Sequence, residues 1–337
     1  MIHAPIPLPL HILNEQAYPP ETTADLSHAM AHIALAGKMI ARDLRHAGLL
    51  DVLGSTGETN IQGEEVQQLD ERANETFIKV FEANEVVRTL VSEEMEKPYV
   101  VPHARRPGKF VLYLDPLDGS SNIAVDAPLG SIFSLHRLPD GSSGESEKDL
   151  LKVGAEQVGA GYLLYGTSTV FVYTCGKGVH AFTLDPELGE FFLTAQNIQI
   201  PFRGKIYCVN EGNYHKWTKG VQQYIDFVKE IDAVTDRPYS GRYSGCFAAD
   251  VHRVLLKGGL YLYPGEVKKP EGKLRLMYEA APLTFVIEQA GGMGSTGSQA
   301  IQSIQPTMLH QRVPVFIGSR DNVQQAQQFV GLEQEPT

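Results

Sequence analysis

Short apolar runs alternate with stretches of helical periodicity along nearly the whole chain, and no segment repeats. Each run must bury a face against a neighbouring layer, and strands alternating with helices do so as a mixed α/β layered fold. Helical spacing of Met30, Ile33, Ala34, Met39, Ile40 and Leu44 predicts a helix over 26–46, entered at Thr22-Thr23-Ala24-Asp25 with Thr or Asp as N-cap and closed by Gly48. Residues 65–82, 217–230, 247–256 and 274–290 read as further helices, the last interrupted at Pro282. Strands are expected at 86–91, 110–114, 158–164, 169–174, 179–184, 205–209 and 260–263. The glycine-rich stretches 51–64 and 291–297 read as loops, 139–148 as a polar surface turn, and the proline-rich residues 1–20 as an extended arm. The stretch 197–204 reads as a connector between two domains, 1–196 and 197–337.

The 337 residues suffice for two domains and for a core that needs neither disulfides nor a structural metal. A formal net charge of −11 makes the chain a poor non-specific binder of nucleic acid, whose phosphates it repels, yet leaves room for a locally basic pocket. Cys175, Cys208 and Cys246 lie far apart and form no zinc-type pattern. Sparse free thiols suit a reducing cytosol, and a cytoplasmic location is expected. Pro5, Pro7 and Pro9 interrupt the first residues, so no signal peptide is expected, and no run of about 18 apolar residues predicts a membrane span.

The chemistry concentrates where strands run out. The strand at 110–114 leads into Asp115-Pro116-Leu117-Asp118-Gly119-Ser120-Ser121, and the strand at 86–91 leads into Ser92-Glu93-Glu94. Ligand sites of α/β proteins gather at such ends. Asp115 and Asp118 can converge on one hard cation, with the Leu117 carbonyl as a third oxygen. Gly119 permits a tight turn, after which the amides and hydroxyls of Ser120 and Ser121 can receive a phosphate. The same residues also suit an ordinary Asp-Gly turn with a capping serine. Glu93 and Glu94 repel one another unless a cation binds, the alternative being a solvated acidic loop. Asp70 alone reads as an exposed helix face, and Glu279 sits where a helix is interrupted. The second half carries Asn210, Tyr214, Arg242, Tyr243, Tyr263, Lys268, Lys269, Lys273 and Arg275, a set suited to phosphate. Singly, each reads as surface charge or a half-buried tyrosine. Together, acidic clusters in the first half and basic ones in the second provide for a divalent cation and an anionic substrate.

These motifs resemble class I fructose-1,6-bisphosphatases, within the inositol-phosphatase-like superfamily of Mg²⁺-dependent, Li⁺-sensitive phosphatases. The resemblance runs through GSTGETNIQGEEVQQLD (54–70), VSEE (91–94), DPLDGSSNI (115–123), NEGN (210–213), GRYSGCFAADVHR (241–253) and GKLRLMYEAAPLTFVIEQAGG (272–292). It implies an α-β-α-β-α five-layer sandwich in two domains. It also implies hydrolysis of the 1-phosphate of fructose 1,6-bisphosphate by water activated by Mg²⁺, with Mn²⁺ as an alternative ion, in gluconeogenesis or the Calvin cycle. Carried over by residue, the metal ligands are Glu93, Glu94, Asp115, Asp118, Glu279 and the Leu117 carbonyl, joined by Glu64 when its loop closes. Asp70, helped by Glu94, activates the attacking water. Asp118, Gly119, Ser120 and Ser121 bind the substrate at its 1-phosphate; Asn210, Tyr214, Tyr243 and Tyr263 hold the 6-phosphate, with Lys273 near the sugar. Arg242 reaches that phosphate across a subunit interface, in a homotetramer or dimer.

The resemblance thins at the family's AMP site. Thr23-Ala24-Asp25-Leu26-Ser27 stands where the vertebrate pattern has Thr-Gly-Glu-Leu-Thr, and Lys109 is followed by Phe110 rather than Tyr, with Arg137 present. Weak or absent AMP inhibition is expected. The stretch 139–150 is short and free of cysteine, so thiol regulation of the plant plastid kind is not expected. Sedoheptulose-1,7-bisphosphatase, or dual specificity, is the nearest alternative. An inositol-monophosphatase-type enzyme would carry Trp-Asp where this chain has Tyr278-Glu279. A non-catalytic sugar-phosphate sensor would have lost carboxylates that here all stand.

Overall fold

The computed structural model describes residues 5–15, 18–47, 55–59, 65–102 and 108–331, with 55–59 and 65–67 described by their backbone alone. Helices α1 (Leu8–Glu15) and α2 (Pro20–His46) come first, followed by a hairpin of β1 (Ser55–Thr59) and β2 (Glu65–Gln67) and by α3 (Gln68–Glu82). Strands β3 (Val87–Ser92), β4 (Tyr99–Val100), β5 (Phe110–Asp118), β6 (Leu129–Arg137), β7 (Gln157–Tyr165), β8 (Thr169–Thr174), β9 (His180–Asp185) and β10 (Glu190–Ala195) form an eight-stranded sheet in the order β10-β9-β8-β7-β6-β5-β3-β4, with the short helix α4 (Glu147–Leu150) after β6. Only β3 and β5 pair in parallel in this sheet. The rest of the chain runs β11 (Ile206–Cys208), α5 (Lys219–Lys229), β12 (Ser240–Gly241), α6 (Phe247–Lys257), β13 (Leu260–Tyr263), α7 (Ala281–Gln289), β14 (Met293–Ser295), β15 (Val315–Gly318) and α8 (Arg320–Gly331). Its five-stranded sheet has the order β12-β11-β13-β15-β14, with β11 parallel to both β12 and β13.

Strand periodicity sets the layers. Along β5, Phe110, Leu112 and Leu114 enter a core shared with α1, α2 and α3, while Val111 and Tyr113 enter a second core on the opposite face. That second core contains Val251 and Leu283 of α6 and α7, and Tyr261, Val315 and Ile317 of the smaller sheet. The far face of the smaller sheet, with Leu260, Leu262 and Phe316, packs on Ile225 of α5 and Val323 of α8. Helices, sheet, helices, sheet and helices thus stack as the five-layer α/β sandwich that the resemblance implies.

Local expectations are corrected in several places. Residues 8–15 are helical rather than an extended arm, because Leu8 and Ile12, one turn apart, bury in the first core. Helix α2 begins at Pro20 in place of the 22–25 entry, with proline in its first turn and no side-chain cap. It ends at His46, and Gly48 lies outside the described residues. Within 51–64, Ser55–Thr59 is a strand and the remainder lies outside the described residues; its partner Glu65–Gln67 delays α3 to Gln68. The segment 274–290 is a π-helical turn, Leu276–Ala280, running directly into α7, so Pro282 lies just past the junction of the two and interrupts the helical bonding without ending the helix. The 291–297 loop contains β14. Helix α8 and strands β4, β6, β10 and β15 had no counterpart in the sequence reading; β6 is buried at eight of its nine positions and carries no alternation to find.

Candidate active site

The parallel pairs converge on the site. Because β3 and β5 run side by side, Glu93-Glu94 and Asp115–Asp118 emerge at one sheet edge. Because β11, β12 and β13 share a direction, Asn210, Arg242-Tyr243 and Tyr263 come off the matching ends of the other sheet. Between the two lies a cavity of about 560 Å³ lined by Asp70, Glu93, Glu94, Asp115, Leu117, Asp118, Gly119, Ser120, Ser121, Tyr243, Tyr263, Lys273 and Glu279. Gly245, Phe247, Tyr261, Leu274 and Arg275 also line it.

Strand β5 does not stop at Leu114 as expected but continues to Asp118 through a bulge. Asp115 pairs with Ile132 and Asp118 with Gly130, leaving one residue too many on β5. Ser131 Oγ donates to the Pro116 carbonyl at 2.7 Å, and the Leu117 amide donates to Asp115 Oδ1 at 3.1 Å, fixing the bulge and the first aspartate. Gly119 follows at φ 86°, a left-handed conformation that a side chain resists, and an added Cβ would stand 2.8 Å from that of Cys246. The residues read as either a metal turn or a bland Asp-Gly turn are therefore a bulged strand end, aimed into a cavity.

Carboxylate oxygens of Glu93, Asp115 and Glu279 lie within 4.8 Å of one another, all buried. Burial, then the charges of Glu93, Asp118, Glu279 and Glu94, push the Asp115 carboxyl well above the usual carboxylate range. Arg275, counted by its sequence position among phosphate binders, is 2 % exposed and serves this cluster: its Nη1 lies 2.6 Å from Glu93 Oε1, and its amide donates to Glu279 Oε2 at 2.6 Å. The i, i+4 spacing of Arg275 and Glu279 signals that pairing alone; nothing local signals the contact with Glu93. Asp70, in the first turn of α3, is 3 % exposed and faces the cavity, against the exposed helix face that its sequence context suggests.

Asp118 joins the two halves. Its Oδ2 accepts the Ala248 amide at 2.7 Å and the Cys246 thiol at 3.1 Å, both from the start of α6. Burial raises its pKa, and these donors with Lys273 pull it back. Neither Cys246 nor Ala248 was singled out by sequence; 128 and 130 residues separate them from Asp118.

Three residues assigned to the substrate do not line the cavity. Asn210 caps the turn at 211–216 by accepting the Gly212 amide. The Tyr214 hydroxyl donates to Asp226 Oδ2 at 2.7 Å. Arg242 is exposed and donates to its neighbour's carbonyl at Gly241. Glu64 lies outside the described residues. Where the resemblance would put the family's AMP site, Lys109 and Asp25 form an ion pair at 2.8 Å, the Thr23 and Ser27 hydroxyls donate to the carbonyls of Tyr18 and Pro9, Ala24 is exposed, Phe110 is buried and Arg137 faces Asp140.

The family model described as "Fructose-1-6-bisphosphatase, N-terminal domain" matches residues 6–196, and its C-terminal counterpart matches 200–331. The chain is 51% identical over 327 residues to a "Fructose-1,6-bisphosphatase class 1" of a Synechococcus sp., covering 96% of this chain and 97% of that one. It is 49% identical over 321 residues to the protein of the same description from Trichormus variabilis, covering 95% and 90%. Leishmania major fructose-1,6-bisphosphatase, solved in its holo form, superposes with a TM-score of 0.90 at 39% identity, over 97% of this chain and 99% of its own.

Proposed function

The chain belongs to the class I fructose-1,6-bisphosphatase family, and from that premise we propose that it hydrolyses the 1-phosphate of fructose 1,6-bisphosphate to give fructose 6-phosphate and phosphate. The carrying observation is the two-sided cavity, with buried carboxylates from the first sheet facing Lys273, Tyr243 and Tyr263 from the second half. A monophosphate would need only the first side.

The donor set fits a hard divalent cation. Glu93, Asp115 and Glu279 are buried within ligand distance of a common point, and their mutual repulsion, which Arg275 offsets with a single charge, is what such an ion relieves. These three, with Asp118, Glu94 and the Leu117 carbonyl, would hold Mg²⁺, and Mn²⁺ suits the same oxygens. Once bound, it supplies Lewis-acid polarisation of the phosphoryl oxygens and a more acidic water. Asp70, helped by Glu94, would orient the attacking water and take its proton. Gly119, Ser120 and Ser121 receive the 1-phosphate on amides and hydroxyls. Tyr243, Tyr263 and Lys273 grip the 6-phosphate end, with Asn210 beside them at the strand ends; Tyr214 joins only by giving up Asp226. The exposed Arg242 is assigned to a neighbouring subunit's site, in a homotetramer or dimer. The division at 1–196 and 197–337 then assigns most of the metal ligands to one domain, and the retained phosphate, together with the ligand Glu279, to the other. No helix among the described residues is long and apolar enough to cross a membrane, and a cytoplasmic location is proposed. The Asp25–Lys109 pair and the inward-turned Thr23 and Ser27 hydroxyls support weak AMP inhibition.

Phosphate release from fructose 1,6-bisphosphate should require Mg²⁺ and cease with EDTA, exceed that from sedoheptulose 1,7-bisphosphate, and respond little to micromolar AMP. Release unaffected by EDTA, or confined to the seven-carbon substrate, would overturn the assignment; strong cooperative inhibition by AMP would overturn the regulatory reading alone.

A further inference from the structure

We propose that His11, Glu15 and His180 form a second metal site, outside the catalytic cavity, which takes a borderline divalent cation of the Zn²⁺ class and fastens α1 to the larger sheet. His11 and Glu15 are one turn apart on α1, and His180 opens β9. One ring nitrogen of each histidine and a Glu15 carboxylate oxygen lie within 4.8 Å of one another. Ligands held about 2.1 Å from one tetrahedral ion stand roughly 3.4 Å apart. His11 Nε2 and Glu15 Oε1 are already at 3.5 Å, so closure asks mainly for a small shift of His180.

The hydrogen bonds leave the right lone pairs. His180 Nε2 lies 3.0 Å from the Lys177 carbonyl, an acceptor, so Nε2 carries the proton and Nδ1 the lone pair. The contact to that Nδ1, from the Asn197 amide, is long at 3.4 Å. His11 Nδ1 bonds the Tyr173 hydroxyl at 2.8 Å, and its Nε2 is buried with no hydrogen-bond partner, in a residue only 3 % exposed. Imidazoles that ligate metals are characteristically held with the distal nitrogen bonded to an oxygen; His11 Nε2 is then free for the ion, and His180 Nδ1 exchanges its long Asn197 contact for it. An orphaned buried nitrogen is costly without an occupant. Two imidazoles and one carboxylate suit zinc rather than Mg²⁺, which the all-oxygen catalytic cluster prefers. A water can complete the fourth position.

The test is a titration of metal-stripped, full-length protein with Zn²⁺ under excess Mg²⁺, with bound zinc counted by elemental analysis and Co²⁺ used as a visible probe. One tightly held zinc per chain is expected, retained in Glu279→Gln and lost in His11→Asn and in Glu15→Gln, whose affinity should fall at least 10²-fold. The cobalt form should show the intense visible bands of a four-coordinate site, absent from both α1 variants. No tight zinc, zinc unaffected by the α1 substitutions, or zinc lost in Glu279→Gln would overturn the proposal. Should His11→Asn fail to fold, Glu15→Gln, at a partly exposed position, decides.

Discussion

Asp118 uses one carboxylate oxygen to accept from Ala248 and Cys246 across the interface between the halves of the molecule. With Oδ2 so held, the geometry of the carboxylate toward the cavity depends on the start of α6. Asp118→Asn removes charge where a cation is proposed, and kcat is expected to fall at least ~10²-fold, or ~2.7 kcal/mol. Near wild-type turnover in steady-state assays would sink the metal assignment. Cys246→Ala removes a donor to a charged acceptor, an interaction of about 1.5–3 kcal/mol. The Mg²⁺ concentration for half-maximal rate should rise roughly tenfold, whereas Cys246→Ser, which keeps a donor, should stay close to wild type. Equal effects of Ala and Ser would point to packing instead. Arg275 teaches a related lesson. Its residue type suggested phosphate, but burial beside Glu93 and Glu279 makes it a counter-ion.

Among the elements, the helices and strands with strong periodicity were legible, and those decided by partners were not. Helix α5 was readable from its apolar stripe; α8, rich in Gln, was not, yet the two pack together. They meet closely at Gly220, where an added Cβ would stand 2.4 Å from the Phe329 carbonyl and 3.1 Å from Val330 Cα. Ala is favoured over Gly in a helix interior by about 1 kcal/mol, less in the first turn, while overpacking costs about 1–3 kcal/mol. Because the obstruction is backbone, overpacking should win: Gly220→Ala is expected to lower stability by about 1–2 kcal/mol, seen as a lower urea midpoint. An unchanged or higher midpoint would mean α8 docks elsewhere. Strand β5 illustrates the other limit. Its apolar run marked the strand, but its continuation through Pro116 depends on Ser131 of β6.

At the scale of the whole molecule, buried imidazoles and buried carboxylates act in opposite senses on the response to acid. Burial holds His136 down to about 3 and His252 to about 4, against about 6.5 unfolded. A depressed histidine pKa means that the unfolded chain binds the proton more readily. Their contribution is therefore full above pH 6.5 and is lost as pH falls from there toward about 4 and then about 3. Asp250, pushed up to about 6 mainly by burial, and the raised Asp115 and Asp118 act oppositely, so the histidine contribution is read as a difference between wild type and a histidine variant. Between pH 7 and 5 the urea midpoint of His252→Asn is expected to change less unfavourably than that of the wild type; identical profiles would contradict this. By itself the sequence determined the chemistry available: the aspartates around a Pro-Leu pair, the serines after Gly119, the paired glutamates, and the tyrosines and lysine of the second half. Those signals are local, carried by residue type and short spacing. Only the tertiary structure decided that Asp70 is buried, that Arg275 balances the acidic cluster, and that Asp118 is held from α6. Each of these depends on which surfaces the five layers bring together, and contacts between residues more than a hundred positions apart leave no local pattern to read.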